Sequence, residues 1–181
     1  MLKTIVLTAV GRDRVGIVAE VADALYKLGC NLLDSSMTLL RGEFAIILMV
    51  QLPEGQSTED LQKQLSTVAE RMQMTIHARE LSEEEVLETP TRGVPHMISV
   101  YGADKAGIVA GITRKLAELG INITDVETKY SDEGAESIFV MILEVTVPPE
   151  LPTRAVESAL ARTARDLAVD VSVQTLEVFE L

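Results

Sequence analysis

The sequence is written twice. Gly11 to Asp34 returns as Gly102 to Asp125 at a constant offset of 91 residues, without a gap. Eleven of the 24 positions are identical: Gly11, Asp13, Gly16, Ile17, Val18, Ala19, Leu25, Leu28, Gly29, Asn31 and Asp34, each with its counterpart. Self-similarity on this scale marks a duplicated folding unit. The 181 residues therefore divide into two units of about 90, each able to bury a modest core. We place the first at 1–81, a linker at 82–95 and the second at 96–181.

Periodicity predicts the elements of each unit. Residues 2–10 read as a buried strand, and 11–15 as a turn with Asp13 as N-cap of the helix that follows. Ile17, Val18, Val21, Leu25 and Leu28 form that helix's apolar face, and Gly29 closes it. Strands at 31–40 and 44–52 flank a hairpin turn at Arg41-Gly42-Glu43. Ser57, with Asp60 three residues on, starts a second helix facing inward with Leu61, Leu65, Val68 and Met72, and 74–81 is a fourth strand. The second copy repeats this order, with Ile108, Val109, Ile112, Leu116 and Leu119 on its first helix and Pro152 opening its second. A loop at 131–136 is four residues longer than its counterpart, after which the offset becomes 95. Glu83-Glu84-Glu85 in the linker reads as a solvated strand end. Each unit is thus β-α-β-β-α-β. Right-handed crossovers make this an α+β, ferredoxin-like unit, an antiparallel four-stranded sheet with helices on one face.

Composition limits function. With 16 Lys and Arg against 28 Asp and Glu, the net charge is −12, unsuited to direct nucleic-acid binding or to anionic membranes. A single cysteine, Cys30, excludes an internal disulfide, and with no signal peptide it points to the cytoplasm. Cys30 stands where the second copy has Ile121, so it reads as a buried apolar position. His77 and His96 lack partners at metal-ligand spacing, and no phosphate-binding loop or dinucleotide fingerprint is present; neither metal nor cofactor is expected.

The chemistry kept by both copies lies in the turn after the first strand: Asp13-Arg14-Val15-Gly16 and Asp104-Lys105-Ala106-Gly107. Leading N–H groups of a helix have no intrahelical acceptor and attract anions, and a glycine leaves them accessible. A small carboxylate fits there. Asn31 and Asn122, with Asp34 and Asp125 three further on, are candidate acceptors for an amine. Taken singly, each residue also has a structural explanation: capping, tight packing or a left-handed turn.

The pattern Gly-x-Asp-[Arg or Lys]-x-Gly-Ile-Val, a helix ending Leu-x-x-x-Leu-Gly, and then Asn-[Leu or Ile] resembles the ACT domain, a regulatory module that binds amino acids. Residues 29–37 and Gly42-Glu43-Phe44 resemble the family of the glycine cleavage system transcriptional repressor and its tandem-ACT relatives. The resemblance implies ligands held between paired ACT units by the loop and the start of the second strand. Matching positions are Asp13, Arg14, Val15, Gly16, Ile17 and Asn31, and Asp104, Lys105, Ala106, Gly107, Ile108 and Asn122. Many members have Pro before the second glycine, where this chain has Val15 and Ala106. Two units cover nearly all of the chain and leave no room for a catalytic domain. The expectation is a non-enzymatic homodimer that senses glycine or serine and acts on a transcription factor or metabolic enzyme. Its alternative is an assembly module without a ligand.

Overall fold

A computed structural model describes residues 2–87, 92–131 and 137–176. The chain forms two compact units, Met1–Glu88 and Thr89–Leu181. The first contains β1 (Lys3–Arg12), α1 (Ile17–Lys27), β2 (Asn31–Leu40), β3 (Glu43–Leu52), α2 (Thr58–Met72), β4 (Met74–Glu80) and a short α3 (Glu83–Leu87). The second contains β5 (Val94–Ala103), α4 (Ile108–Glu118), β6 (Asn122–Ser131), β7 (Ile138–Val147), α5 (Thr153–Leu167) and β8 (Val169–Thr175). The sheets run β2-β3-β1-β4 and β6-β7-β5-β8, all pairs antiparallel, as the ferredoxin-like reading requires. The four-residue insertion falls on 132–136, outside the described residues, and so do linker residues 88–91.

Each core lies between one face of its sheet and two helices. Ile5, Leu7, Phe44, Leu48 and Val50 meet Ile17, Val21, Leu61 and Leu65 in the first unit. Ile98, Val100, Met141, Leu143 and Val145 meet Ile108, Ile112, Val156 and Leu160 in the second. Strand alternation and helical spacing bring these residues to one interface. Gly11 and Gly102 recur for a steric reason. A Cβ on Gly11 would lie 2.7 Å from Met74 Cβ, and one on Gly102 would lie 2.9 Å from Val169 Cγ1.

Four expectations need correction. Asp13 does not cap α1. The N-cap is Gly16, while the Asp13 N–H donates to Gly42 O at 2.9 Å and ties the loop to the hairpin. Val18 and Val109 are not core residues. They are 49% and 42% exposed, because α1 and α4 face their sheets with the narrower sets Ile17/Val21/Leu25 and Ile108/Ile112/Leu116. Glu83-Glu84-Glu85 is the start of α3, nucleated by a reciprocal cap: Ser82 N–H donates to Glu85 Oε2 at 2.8 Å and Glu85 N–H donates to Ser82 Oγ at 3.2 Å. The Ser82 N–H and then Arg79 hold the Glu85 carboxyl below the usual carboxylate range. Finally, β5 begins at Val94, so Pro95 and His96 belong to a strand.

His96 is 2% exposed and fully engaged: Nδ1 lies 2.9 Å from Val94 O, and Nε2 lies 3.0 Å from both Thr153 Oγ1 and Thr175 Oγ1. In the first unit the same corner is ionic. Lys3 Nζ donates to Glu80 Oε2 at 2.8 Å, and Thr58, the counterpart of Thr153, donates to the same oxygen at 3.3 Å. His96→Ala is expected to destabilise the second unit by about 1–3 kcal/mol, because it empties a buried position and takes the partner from the half-buried Thr153 hydroxyl, while the exposed Thr175 hydroxyl can turn to water. Denaturant unfolding of the variant measures this, and an unchanged midpoint would show that the hydroxyls find other partners.

Candidate functional site

The loops after β1 and β5 have the same geometry. Gly16 has φ 99° and Gly107 φ 97°, left-handed values that glycine adopts without strain, and neither helix start receives a side-chain cap. A Cβ built on either glycine meets nothing within 4 Å, so the space beside both helix starts is open, although the first N–H of α1, on Ile17, donates to Arg14 O at 3.4 Å. Asp13, Arg14, Val15 and Gly16 are exposed, as are Asp104, Lys105, Ala106 and Gly107. Ile17 and Ile108 are 2% and 1% exposed; their side chains belong to the cores, and only their backbone remains for a ligand.

The loops differ in one tie. Arg14 Nη2 donates to Gln73 Oε1 at the C-terminal end of α2, which draws the guanidinium towards the β4 side. Gln73 corresponds to Ala168, which offers Lys105 no such acceptor. Beside Gln73, an open depression of about 620 Å³ runs along α2 and β4 past Gly11 and Met74. A smaller apolar cleft of about 250 Å³ lies between α1 and the inner face of β2, lined by Val18, Tyr26, Cys30, Leu32 and Phe44 among others. Cys30 is half-buried here, and burial pushes its thiol up from the ordinary value.

Asn31 does not join the loop within one unit. It pairs with Gln51, which pairs with Thr4, whereas the loop leaves β1 after Arg12. Eight residues separate Thr4 from Arg12, about 27 Å at roughly 3.4 Å per residue. The second unit repeats this: Asn122 pairs with Thr146 and Thr146 with Pro95, at the end of β5 away from Asp104. Asp34 and Asp125 follow a break in register in β2 and β6 and stand opposite Met49 and Glu144, on the face without helices. The Asp34 carboxylate accepts from Ser35 N–H at 2.7 Å. Loop and asparagine therefore converge only if an antiparallel neighbour on β2 or β6 brings its own strand start to the loop end.

β2 and β6 are the edges where such a neighbour would lie. Every residue of β2 is exposed, including Leu32, Met37 and Leu39 on the helix side. Met37 is therefore a surface residue and not a core one. Outside these edges, His77 is exposed on β4, and among the described residues no cluster of His, Cys, Asp and Glu is arranged to hold a metal. No helix among the described residues is long and apolar enough to cross a membrane.

Comparison with known proteins agrees with this fold. The ACT domain family model matches residues 3–79 and again 96–174, so the chain belongs to the ACT domain family. A UPF0237 protein of Streptococcus pneumoniae is 33% identical over 84 residues, 46% of this chain and 91% of that protein. One from Listeria monocytogenes is 37% identical over 83 residues, 46% of this chain and 90% of that protein. Among solved structures, a protein of unknown function from Galdieria sulphuraria superposes with TM-score 0.80 at 28% identity, covering 98% of this chain and 100% of that one. A protein provisionally assigned as a glycine cleavage system transcriptional repressor superposes with TM-score 0.77 at 18% identity, covering 98% and 99%; at that identity the likeness is one of fold.

Proposed function

We propose that this ACT-domain chain is a non-enzymatic cytoplasmic regulator that senses a small amino acid, glycine or serine first. The observation that carries the reading is the pair of uncapped helix starts behind Gly16 and Gly107, kept open in both units. The ligand carboxylate lies against the first-turn N–H groups of α1 and α4, those of Val18 and Ala19 and of Val109 and Ala110, favoured by the helix dipole. Asn31 or Asn122 of an antiparallel neighbour accepts from the ammonium group. Asp13 and Asp104 hold the loop through their backbone, with Asp13 N–H on Gly42 O and Asp104 N–H on Ser137 O. Arg14, Lys105, Val15 and Ala106 form the exposed rim. Because the site needs two units, binding favours one packing of those units by its differential affinity, and a protein partner, a transcription factor or metabolic enzyme, reads the shift.

Calorimetric titration with glycine and serine, then with the other amino acids, tests this. Saturable heat with a dissociation constant from micromolar to millimolar, about −8 to −4 kcal/mol, is expected. No heat from any amino acid on folded protein would leave the second reading, an assembly module without a ligand, which the uncovered apolar edge of β2 favours.

A further inference from the structure

α5 carries a ridge of arginine. Its inner side holds Val156, Ala159, Leu160 and Ala164, all buried. Arg154, Ser158, Arg162 and Arg165 follow one another at intervals of four, four and three residues, which sets them in line on the opposite, exposed side. From Arg154 to Arg165 the ridge rises about 16 Å, at roughly 1.5 Å per residue. α4 lies close beside this helix: a Cβ on Gly111 would meet Leu167 Cδ1 at 2.9 Å. Arg114 of α4 is exposed as well. Among the described residues no ion pair uses Arg114, Arg154, Arg162 or Arg165, although Glu157 and Asp166 flank the ridge on α5 itself.

The first unit does not repeat the ridge. The matching positions of α2, 95 residues earlier, are Glu59, Lys63, Thr67 and Glu70. The inner faces of the two helices do repeat, with Leu61 and Leu65 for Val156 and Leu160, all fully buried. The fold therefore asks for the inner face and leaves the outer one free. Neither core packing nor ion pairing within the chain accounts for arginines in line on a molecule of net charge −12.

We infer that this ridge is a docking surface for an acidic helix of another protein. The partner's charge follows from the arginines, whose planar guanidinium groups take a carboxylate through two parallel hydrogen bonds. The chain's own negative charge does not prevent this. At physiological salt, exposed charges more than about 8 Å apart are largely screened, so an approaching carboxylate meets the ridge and not the whole molecule. The partner's form follows from what lies between the arginines. Ala155, Ser158 and Ala161 are short, and no large apolar residue of α5 is exposed. A second helix can come within the usual axis separation of about 8–10 Å, while its carboxylates, repeating every three to four residues, meet the arginines in turn. A nucleic acid fits less well, because its phosphates spread to both sides of the line, against Glu157 and Asp166. Without an apolar centre the contact is weak, readily reversed and sensitive to salt. Docking needs no amino acid, so failure of the titration above and failure of this contact are separate results.

Fluorescence anisotropy of the full chain with two synthetic alanine-rich helical peptides tests this. One carries glutamates along one side at intervals of four, four and three residues. The other has the same composition with the glutamates spread round the helix. The first is expected to bind saturably and about tenfold more tightly than the second. Arg162→Glu/Arg165→Glu should weaken its binding about tenfold or more, and added salt should narrow that gap. Lys27→Glu/Lys63→Glu makes the same change of net charge at exposed positions of α1 and α2 and should leave binding nearly as it is. All four positions are exposed, so circular dichroism should show both variants folded. Bound peptide should slow hydrogen exchange in α5. Absence of binding to the natural chain, equal binding of the two peptides, or an equal loss in the lysine variant would each overturn the assignment. So would a short DNA duplex that binds the ridge more tightly than the peptide, since the arginines would then serve phosphate.

Discussion

Leu65→Ala and Leu160→Ala are each expected to cost about 2–5 kcal/mol, and each loss should be confined to the unit that carries the substitution. Both leucines are fully buried, and they stand 95 residues apart at the same point of α2 and α5. Neighbours in each core are aliphatic, apart from one phenylalanine in each, Phe44 and Phe139. An apolar void of this kind does not gain a stabilising water, so the lost contacts and the cavity are both felt. Small domains hold only about 5–15 kcal/mol of net stability, so either substitution removes a large share. Hydrogen exchange resolved by peptide provides the check. L65A should raise exchange in β1, β3 and α2, and L160A in β5, β7 and α5. A loss below about 1 kcal/mol in denaturant unfolding would mean that the helix is not anchored at this position.

How much of this was legible in the sequence follows from the physics of each signal. The duplicated segments carried the fold, because a core position repeated at a fixed offset stands out from surface variation. Ile17/Ile108, Val21/Ile112 and Leu25/Leu116 are all buried, and Ser57 caps α2 as its spacing with Asp60 required. Residues with two local roles were harder to read. Asp13 has the chemistry of an N-cap, but the left-handed turn at Gly16 starts the helix later and leaves Asp13 bound to the hairpin. Val18 and Val109 are apolar at helical spacing and yet exposed, because periodicity does not tell a core-facing position from one beside an open edge. The distance from Asn31 to its own loop was invisible for a different reason. It depends on the order of strands in the sheet, and proximity in the chain does not show that the start of β2 and the end of β1 lie at opposite ends. In the sequence His96 shows only its lack of partners at metal-ligand spacing. Its burial depends on β5 starting two residues before it, with Thr153 and Thr175 brought beside it from α5 and β8.

The double variant Gly16→Asp/Gly107→Asp is expected to lose glycine binding altogether. At both positions a Cβ meets nothing within 4 Å, so the new side chain enters without a clash. The φ values of 99° and 97° impose strain, roughly 1–2 kcal/mol for each non-glycine residue, and Asp is among the residues that tolerate this region best. The aspartate carboxylate can itself accept from the open N–H groups of α1 and α4, as N-cap aspartates do. It would occupy the place assigned to the ligand's carboxylate and repel what remained. Strain and charge are separated by the companion variant Gly16→Asn/Gly107→Asn, which has nearly the same shape and backbone cost but no charge. Calorimetry should rank glycine affinity as natural chain, then Asn variant, then Asp variant. Added salt should narrow the gap between the last two, because screening weakens repulsion between exposed charges. Circular dichroism must show both variants folded. If the Asp variant then titrates glycine like the natural chain, the helix starts do not hold the carboxylate. If the Asn and Asp variants lose affinity equally, geometry and not charge governs the loop.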